Sequence, residues 1–251
     1  MNILLTNDDS HDSPLFHLLI DMLGDFGTLH IVVPATEQSW KGKSMTRYGA
    51  LYAEQINLHG TPAWSVTGTP ADCVNMGIHS LLDTKPDVVV SGINIGTNTG
   101  LGFVLASGTL GACFEGNIAG IPGIALSQGL TPEEYHLWSD ERRFESGVVN
   151  RLRDELEQTL PQLWEKYVLA QLGETTTWSI NLPVELVTPE IVHTRLGHTY
   201  YGRCFNKRGD QYRHQLSKVT IDQDPDTDAM VTGSGRVSAT LIDLSVLGQR
   251  L

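Results

Sequence analysis

Ile3-Leu4-Leu5-Thr6-Asn7-Asp8-Asp9-Ser10 is an apolar run that stops on two adjacent carboxylates. Three consecutive aliphatic residues without alternation suit a strand buried on both faces, as in a parallel sheet. Ser13-Pro14 follows as a helix start, serine at the cap and proline in the first turn. Leu15, Leu18, Leu19, Met22 and Leu23 recur at three and four, the spacing of one buried helix face. Thr28 to Val33 reads as a second strand, stopped by Pro34. Strand, helix and strand in this order predict an α/β fold with a mostly parallel sheet built by right-handed crossovers.

The pattern continues along the chain. A polar loop spans Thr36 to Thr46, and Leu51 to Val66 reads as a hairpin turned at His59-Gly60-Thr61-Pro62. Thr69-Pro70 starts a helix with Val74, Ile78 and Leu81 on its apolar side. Asp87 to Val90 is a third buried strand, ending in Ser91-Gly92-Ile93-Asn94. A glycine-rich loop runs from Gly96 to Gly102, and Ser107-Gly108-Thr109 precedes a small-residue helix reaching Ala119. Ile124 to Leu126 is a further strand, Glu141 to Leu160 a long amphipathic helix, and Trp178 to Leu182 a strand again. From Val184 onward, turn-rich alternation predicts hairpins or an arm. Pro132-Glu133-Glu134 is the nearest approach to a boundary. The expected organisation is a catalytic core over 1–130, with 131–251 supplying a helix that completes it and C-terminal strands with an oligomerisation arm, all within one structural domain.

Composition narrows the function. A chain of 251 residues, 40% hydrophobic, is too long for a peptide-like module and too apolar for a disordered tail. Net charge of −12 argues against a nucleic-acid duplex or an anionic membrane surface as partner. Cys73, Cys113 and Cys204 are odd in number, far apart and contain no C-x-x-C, which argues against a disulfide framework or zinc knuckle. No apolar stretch reaches the ~18 residues of a membrane span, and no basic leader with a cleavage site is visible. The expected setting is soluble, reducing and cytoplasmic.

In open parallel sheets, ligands bind beyond the carboxyl ends of the strands. Asp8 and Asp9 follow the first strand, Ser39 lies in the loop after the second, and Asn94 ends the third buried strand. If the strand order brings these ends together, two carboxylates, a hydroxyl and an amide oxygen suit one hard cation, Mg²⁺ or Mn²⁺. Two carboxylates ~4 Å apart repel by ~4 kcal/mol at an effective dielectric of about 20. A divalent cation removes that cost and attracts a phosphate. Turn chemistry and helix capping would produce the same tetrapeptide without a metal. Ser107-Gly108-Thr109 before Gly111, Ala112 and Gly116 reads as a helix start whose free amides can hold an anion, with Asn98 as a further donor. An ordinary hydroxyl cap on a tightly packed helix reads identically.

Taken together, these residues resemble the SurE survival-protein family of metal-dependent nucleotidases. The resemblance lies in Ile3 to Asp9, in Ser39 with Gly42 and Ser44 to Thr46, and in Gly68-Thr69-Pro70-Ala71-Asp72-Cys73. It continues in Ser91-Gly92-Ile93-Asn94 with Gly96 and Asn98, and in Ser107-Gly108-Thr109 with Glu115-Gly116. It implies a Rossmann-like sheet flanked by helices, with a C-terminal β-hairpin arm exchanged in a homodimer or homotetramer. It implies hydrolysis of a nucleoside monophosphate or another small phosphomonoester, with one divalent metal per subunit. By that pattern Asp8, Asp9, Ser39 and Asn94 are the metal ligands, Asp8 and Asp9 are also catalytic, and Asn98, Ser107, Gly108 and Thr109 contact phosphate. The chain departs from the family at Ser10 and Trp40, where glycine is usual. A stacking role for Trp40 on a base and a packed loop aromatic are both compatible with that departure.

Other patterns carry less. Gly42-Lys43-Ser44 resembles the end of a phosphate-binding loop, but the earlier glycine is replaced by Glu37. Asp222, Asp224, Asp226 and Asp228 alternate like a calcium loop without its glycine and closing glutamate, and read as a solvated acidic turn. His11 reads as a surface histidine near the acidic pair. The nucleophile stays open between a metal-activated hydroxide and attack by Asp8 or Asp9. The competing function is a metal-dependent phosphoacceptor or nucleotide-binding module without turnover. It would need an acceptor aspartate where Ser91 to Asn94 stand.

Overall fold

In the computed structural model, which describes residues 1–169, 173–216 and 218–247, the opening apolar run is strand β1 (Asn2–Thr6). It is followed by α1 (Pro14–Leu23), β2 (Thr28–Pro34), β3 (Ala53–Leu58), β4 (Thr61–Val66) and α2 (Pro70–Met76). Then come β5 (Val88–Ile95), α3 (Leu101–Ala106), α4 (Gly108–Ile118), β6 (Gly123–Gln128), α5 (Pro132–Glu141) and α6 (Ser146–Leu163). The last part holds β7 (Thr176–Leu182), β8 (Ile191–Thr194), β9 (Phe205–Arg208), β10 (Gln211–His214), α7 (Asp228–Gly233) and β11 (Val237–Asp243).

The main sheet runs β3-β4-β2-β1-β5-β6-β7-β11-β8. Strands β4 to β7 in that order are parallel, while β3 pairs with β4 and β11 with β7 antiparallel. Alternate residues of the central strands serve two cores. Ile3, Leu5, Val88 and Val90 pack with Leu15, Leu19 and Leu23 of α1 and Leu152, Leu156 and Leu160 of α6. Leu4, Val32 and Val89 face the other way, onto Cys73 and Val74 of α2 and Leu110, Ala112 and Cys113 of α4. Both faces of the sheet are therefore covered, which is why β1 carries no polar alternation. Strands of 131–251 continue the sheet directly from β6 through β7, β11 and β8. The hairpin β9–β10 forms its own two-stranded sheet.

Several expected boundaries move. The hairpin turn is His59-Gly60, both with positive φ (+51° and +84°), and Thr61 and Pro62 already belong to β4. Two positive φ values in a row give the tight turn that matches strand twist. Pro14 occupies the first turn of α1 as expected, but Ser13 at the cap makes no side-chain bond to it. The long helix starts at Ser146, five residues later than the periodicity predicts. Glu141 instead ends α5, and Arg142 adopts a left-handed φ of +56° between the two helices. Pro132-Glu133-Glu134 is the first turn of α5: Thr131 and Glu134 form a reciprocal capping box there.

Strand β5 runs through Asn94 to Ile95, with an irregularity in its pairing with β6 between Ser91 and Asn94. Gly92 sits at the irregular step with φ +137°, and a Cβ there would lie 2.4 Å from the Leu126 carbonyl oxygen. Only glycine lets β5 approach β6 so closely at this step, after which Asn94 and Ile95 resume pairing with Ser127 and Gln128.

Candidate active site

The strand order places β2, β1 and β5 side by side, with β1 between the other two. Chain direction across the sheet reverses about β1, so its carboxyl end faces a switch-point crevice. Asp8 and Asp9 leave β1 into this crevice, and both are almost fully buried, at 3% exposure each.

The two carboxylates are held by different elements. The Thr109 hydroxyl of α4 donates to Asp8 Oδ1 at 2.7 Å, and the Thr109 backbone amide also hydrogen-bonds this carboxylate. Gly108 packs directly on Asp8: a Cβ at position 108 would lie 2.9 Å from Asp8 Cβ and from its Oδ2. Asp9 Oδ2 accepts the Ile95 amide of β5 at 2.9 Å. The residue next to Asn94 is thus bonded to Asp9, so the two strand ends meet. The Asn94 side-chain nitrogen donates to the Gly96 carbonyl, which leaves its oxygen as the atom suited to a cation.

Ser39 reaches the crevice from the loop after β2. Asp9, Glu37, Ser39, Ile95, Tyr135, Trp138, Ser139 and Arg142 line a cleft of about 150 Å³. The Ser39 hydroxyl donates to Glu37 Oε1 at 2.6 Å, keeping its lone pairs outward. Glu37 in turn bonds Arg142, whose guanidinium lies 4.2 Å above the Trp138 ring. The loop closes on the helices behind it: Gly42 N–H donates to Ala106 O (2.9 Å) and Lys43 pairs with Glu115 of α4 (2.6 Å). Thr46 donates to Asp72 through its amide (3.0 Å) and its hydroxyl (2.7 Å). Gly42-Lys43-Ser44 is therefore committed to packing and not arranged as a phosphate loop.

Burial dominates the electrostatics. Desolvation pushes the Asp8 carboxyl up to about 6 against the pull of its hydrogen bonds. Asp9 is driven well above the ordinary carboxylate range, first by desolvation and then by the charge of Asp8. Glu37 raises both, and Arg142 alone among the causes acting on Asp9 is a cation. Three carboxylates against one guanidinium make the cleft hostile to an anion and attractive to a cation. Among the described residues, no three His, Cys, Asp or Glu side chains gather closely enough to hold one ion. A cation between Asp8 and Asp9 must therefore complete its shell with neutral oxygens, and Ser39 and Asn94 supply that type. The donor set is all oxygen, as Mg²⁺ or Mn²⁺ requires.

The expected phosphate residues divide. Ser107 caps α4, its Oγ accepting the Leu110 amide at 3.2 Å. Gly108 and Thr109 form the first turn and lean on Asp8, so the helix start and the acidic pair are one site. Asn98 is buried farther along the loop: its amide donates to Asn181 Oδ1 (2.8 Å) and its side chain to Ser127 Oγ (2.9 Å). Its hydrogen bonds thus go to Asn181 and Ser127, while those of Asp8 and Asp9 go to Thr109 and Ile95. His11 pairs with its neighbour Asp12 (2.9 Å). Asp222 and Asp224 pair with Arg195, while Asp228 turns inward to accept the amides of Gly100 (2.6 Å) and Gly197 (3.1 Å). The acidic stretch pins loops and is not a calcium site.

Sequence reading missed Glu37, Tyr135 and Arg142. Glu37 stands two residues before Ser39, a spacing that allows the hydroxyl–carboxylate bond. Arg142 lies 105 residues away in sequence, and no local pattern predicts that pairing.

Comparison with known proteins shows the family and the fold. Residues 3–203 match the family model described as survival protein SurE. The chain is 46% identical to the 5'-nucleotidase SurE of Geotalea uraniireducens, over 98% of this chain and 94% of that one. It is 37% identical to the 5'-nucleotidase SurE of Methanocella arvoryzae, over 83% and 77%. The crystal structure of the SurE protein from Aquifex aeolicus superposes with a TM-score of 0.70 at 24% identity, covering 99% of this chain and 95% of that chain, a likeness of fold.

Proposed function

Because the chain belongs to the survival protein SurE family, we propose that it is a 5'-nucleotidase-type phosphomonoesterase that hydrolyses nucleoside monophosphates with the help of one divalent metal. The observation that carries the reading is the contact between buried Asp8, the neighbour of buried Asp9, and the first turn of α4. A helix start pressed against one desolvated acid, with a second beside it in the chain, makes sense where a cation and a phosphate meet.

Asp8, Asp9, Ser39 and Asn94 would hold the ion. When bound, Mg²⁺ or Mn²⁺ supplies positive charge and Lewis acidity where negative charge builds on the phosphoryl group. Glu37 accepts the hydrogen bond of the Ser39 hydroxyl and orients its oxygen toward the cleft. Thr109 fixes Asp8 through its hydroxyl and its amide, and the first turn of α4 would lie beside the phosphoryl group. Burial keeps water from screening these interactions. The exposed β9–β10 hairpin, with Phe205 and Tyr212 outward, serves as the arm of a homodimer or homotetramer. Among the described residues no helix is long and apolar enough to cross a membrane; the proposed setting is the cytoplasm.

The test is release of inorganic phosphate from a panel of nucleoside monophosphates, with Mn²⁺ and with EDTA. Metal-dependent release supports the reading. Tight binding of nucleotide with no turnover under any metal would make the protein a binding module instead. Hydroxylamine or borohydride trapping then separates attack by an aspartate from attack by water.

A further inference from the structure

Trp40 follows Ser39 directly, yet it is not a buried packing residue. Its φ is +63°, a left-handed backbone that is costly for a bulky side chain and that concentrates at functional sites. Its ring stays 40% exposed. Three other rings from two distant segments gather against it. Phe103 of α3 lies at 5.9 Å between centroids, Tyr201 edge-on at 5.1 Å, and His214 at the end of β10 edge-on at 4.7 Å. Phe103 and Tyr201 also meet each other edge-on at 5.6 Å.

This cluster adjoins the phosphate-facing helix start through the backbone. The Ser107 amide donates to the Phe103 carbonyl at 2.9 Å, and the Gly42 amide to the Ala106 carbonyl at 2.9 Å. One turn of chain thus separates the rings from the start of α4, and a single peptide step separates Trp40 from Ser39. Even with these three neighbours, Trp40 keeps 40% of its surface open to a ligand. An exposed aromatic held in a strained conformation beside an anion site fits a flat, uncharged partner covalently tied to that anion.

We propose that Trp40, braced by Tyr201, Phe103 and His214, is the platform on which the base of the nucleotide stacks, so that this cluster sets the preference for nucleotides over phosphate esters without a ring. This rests on the nucleotidase reading and adds the element that recognises the nucleoside. Base–aromatic stacking of about 1–3 kcal/mol corresponds to roughly 5- to 150-fold in affinity.

The experiment compares adenosine 5'-monophosphate with glycerol 2-phosphate in wild type, Trp40→Gly and Trp40→Phe. Glycine suits φ +63°, so the first variant removes the ring while keeping the loop. The ratio of kcat/KM for the two substrates is expected to fall about tenfold in Trp40→Gly, mainly through KM for the nucleotide, and to be largely kept in Trp40→Phe. In a parallel binding arm, adenosine 5'-monophosphate should quench tryptophan fluorescence in wild type and lose that quenching in Trp40→Phe. Nucleotide turnover with an unchanged substrate ratio and unchanged quenching in the variants overturns the platform and leaves the nucleotidase reading standing. Quenching that depends on Trp40 without nucleotide turnover supports the platform and removes the nucleotidase reading.

Discussion

The two sides of the crevice are built to different standards. On one side Asp8, Asp9, Gly108 and Thr109 sit on strand ends and a helix start, buried and tied by short hydrogen bonds. On the other, Glu37, Ser39 and Trp40 lie on an exposed loop, one of them with a left-handed backbone, held by an ion pair and edge-on rings. The rigid side offers a fixed charge arrangement that tolerates almost no change. The loop side offers contacts that can vary without disturbing the sheet. Of the two departures from the family pattern, Trp40 falls on the loop side, while Ser10, buried and with φ +77°, stands directly beside the acidic pair.

The strongest way to break this contrast is Asp8→Asn. Loss of a carboxylate ligand should remove several kcal/mol of transition-state stabilisation, about 10³-fold or more in metal-dependent turnover. Phosphate release at limiting Mn²⁺ reads it, and full activity would take Asp8 out of the site.

The next effect concerns stability. An acid raised from 3.8 to about 6 by burial favours the folded state below its unfolded value and loses that contribution as pH rises through about 6. The metal-free protein should therefore weaken by up to roughly 3 kcal/mol from this group between about pH 4 and pH 7. Urea midpoints of wild type and Asp8→Asn across that range should converge at low pH and favour the variant at neutral pH. Saturating Mn²⁺ should stabilise the wild type far more than the variant. Parallel curves would contradict the burial penalty.

Gly108→Ala probes the contact between helix and acid. Its Cβ would lie 2.9 Å from Asp8 and must displace it. A shift of that kind is expected to lower kcat by about 10- to 100-fold with the fold intact. Steady-state kinetics beside circular dichroism would check it, and wild-type kcat would show that the acid has room to move.

The smallest effect belongs to the loop side. Glu37→Gln weakens the partner that orients Ser39, and apparent metal affinity should fall about tenfold. Isothermal titration with Mn²⁺ measures this. A loss as large as that of Asp8→Asn would erase the difference between the two sides.

Much of the rigid side is legible because it is local. The acidic pair ends an unbroken apolar strand, Asn94 ends another, and the helix start carries its own glycine and hydroxyls. The strand order that joins them was the one condition left open, and pairing of β1 with both β2 and β5 meets it. The loop side is poorly legible because its bonds are long-range. Arg142 reaches Glu37 across most of the domain, and Tyr201 and His214 reach Trp40 from the far end of the chain. The misplaced start of α6 has a different cause. Arg142 and Arg143 continue a polar helical pattern in composition, and only the left-handed φ at Arg142 breaks it. The α5 start, by contrast, is local: Thr131-Pro132-Glu133-Glu134, the nearest approach to a boundary in the sequence, is the capping box and first turn of that helix.

Strand β11 lies between β7 and β8, antiparallel to the first and parallel to the second. During synthesis, the outer edge of β7 stays bare until a segment made far downstream arrives to cover it. The strands that position Asp8 are synthesised early, but the last seam of their sheet is sealed late, by residues that carry no chemistry themselves. Damage near that seam would be felt first as clumping of newly made chains and not as slow catalysis.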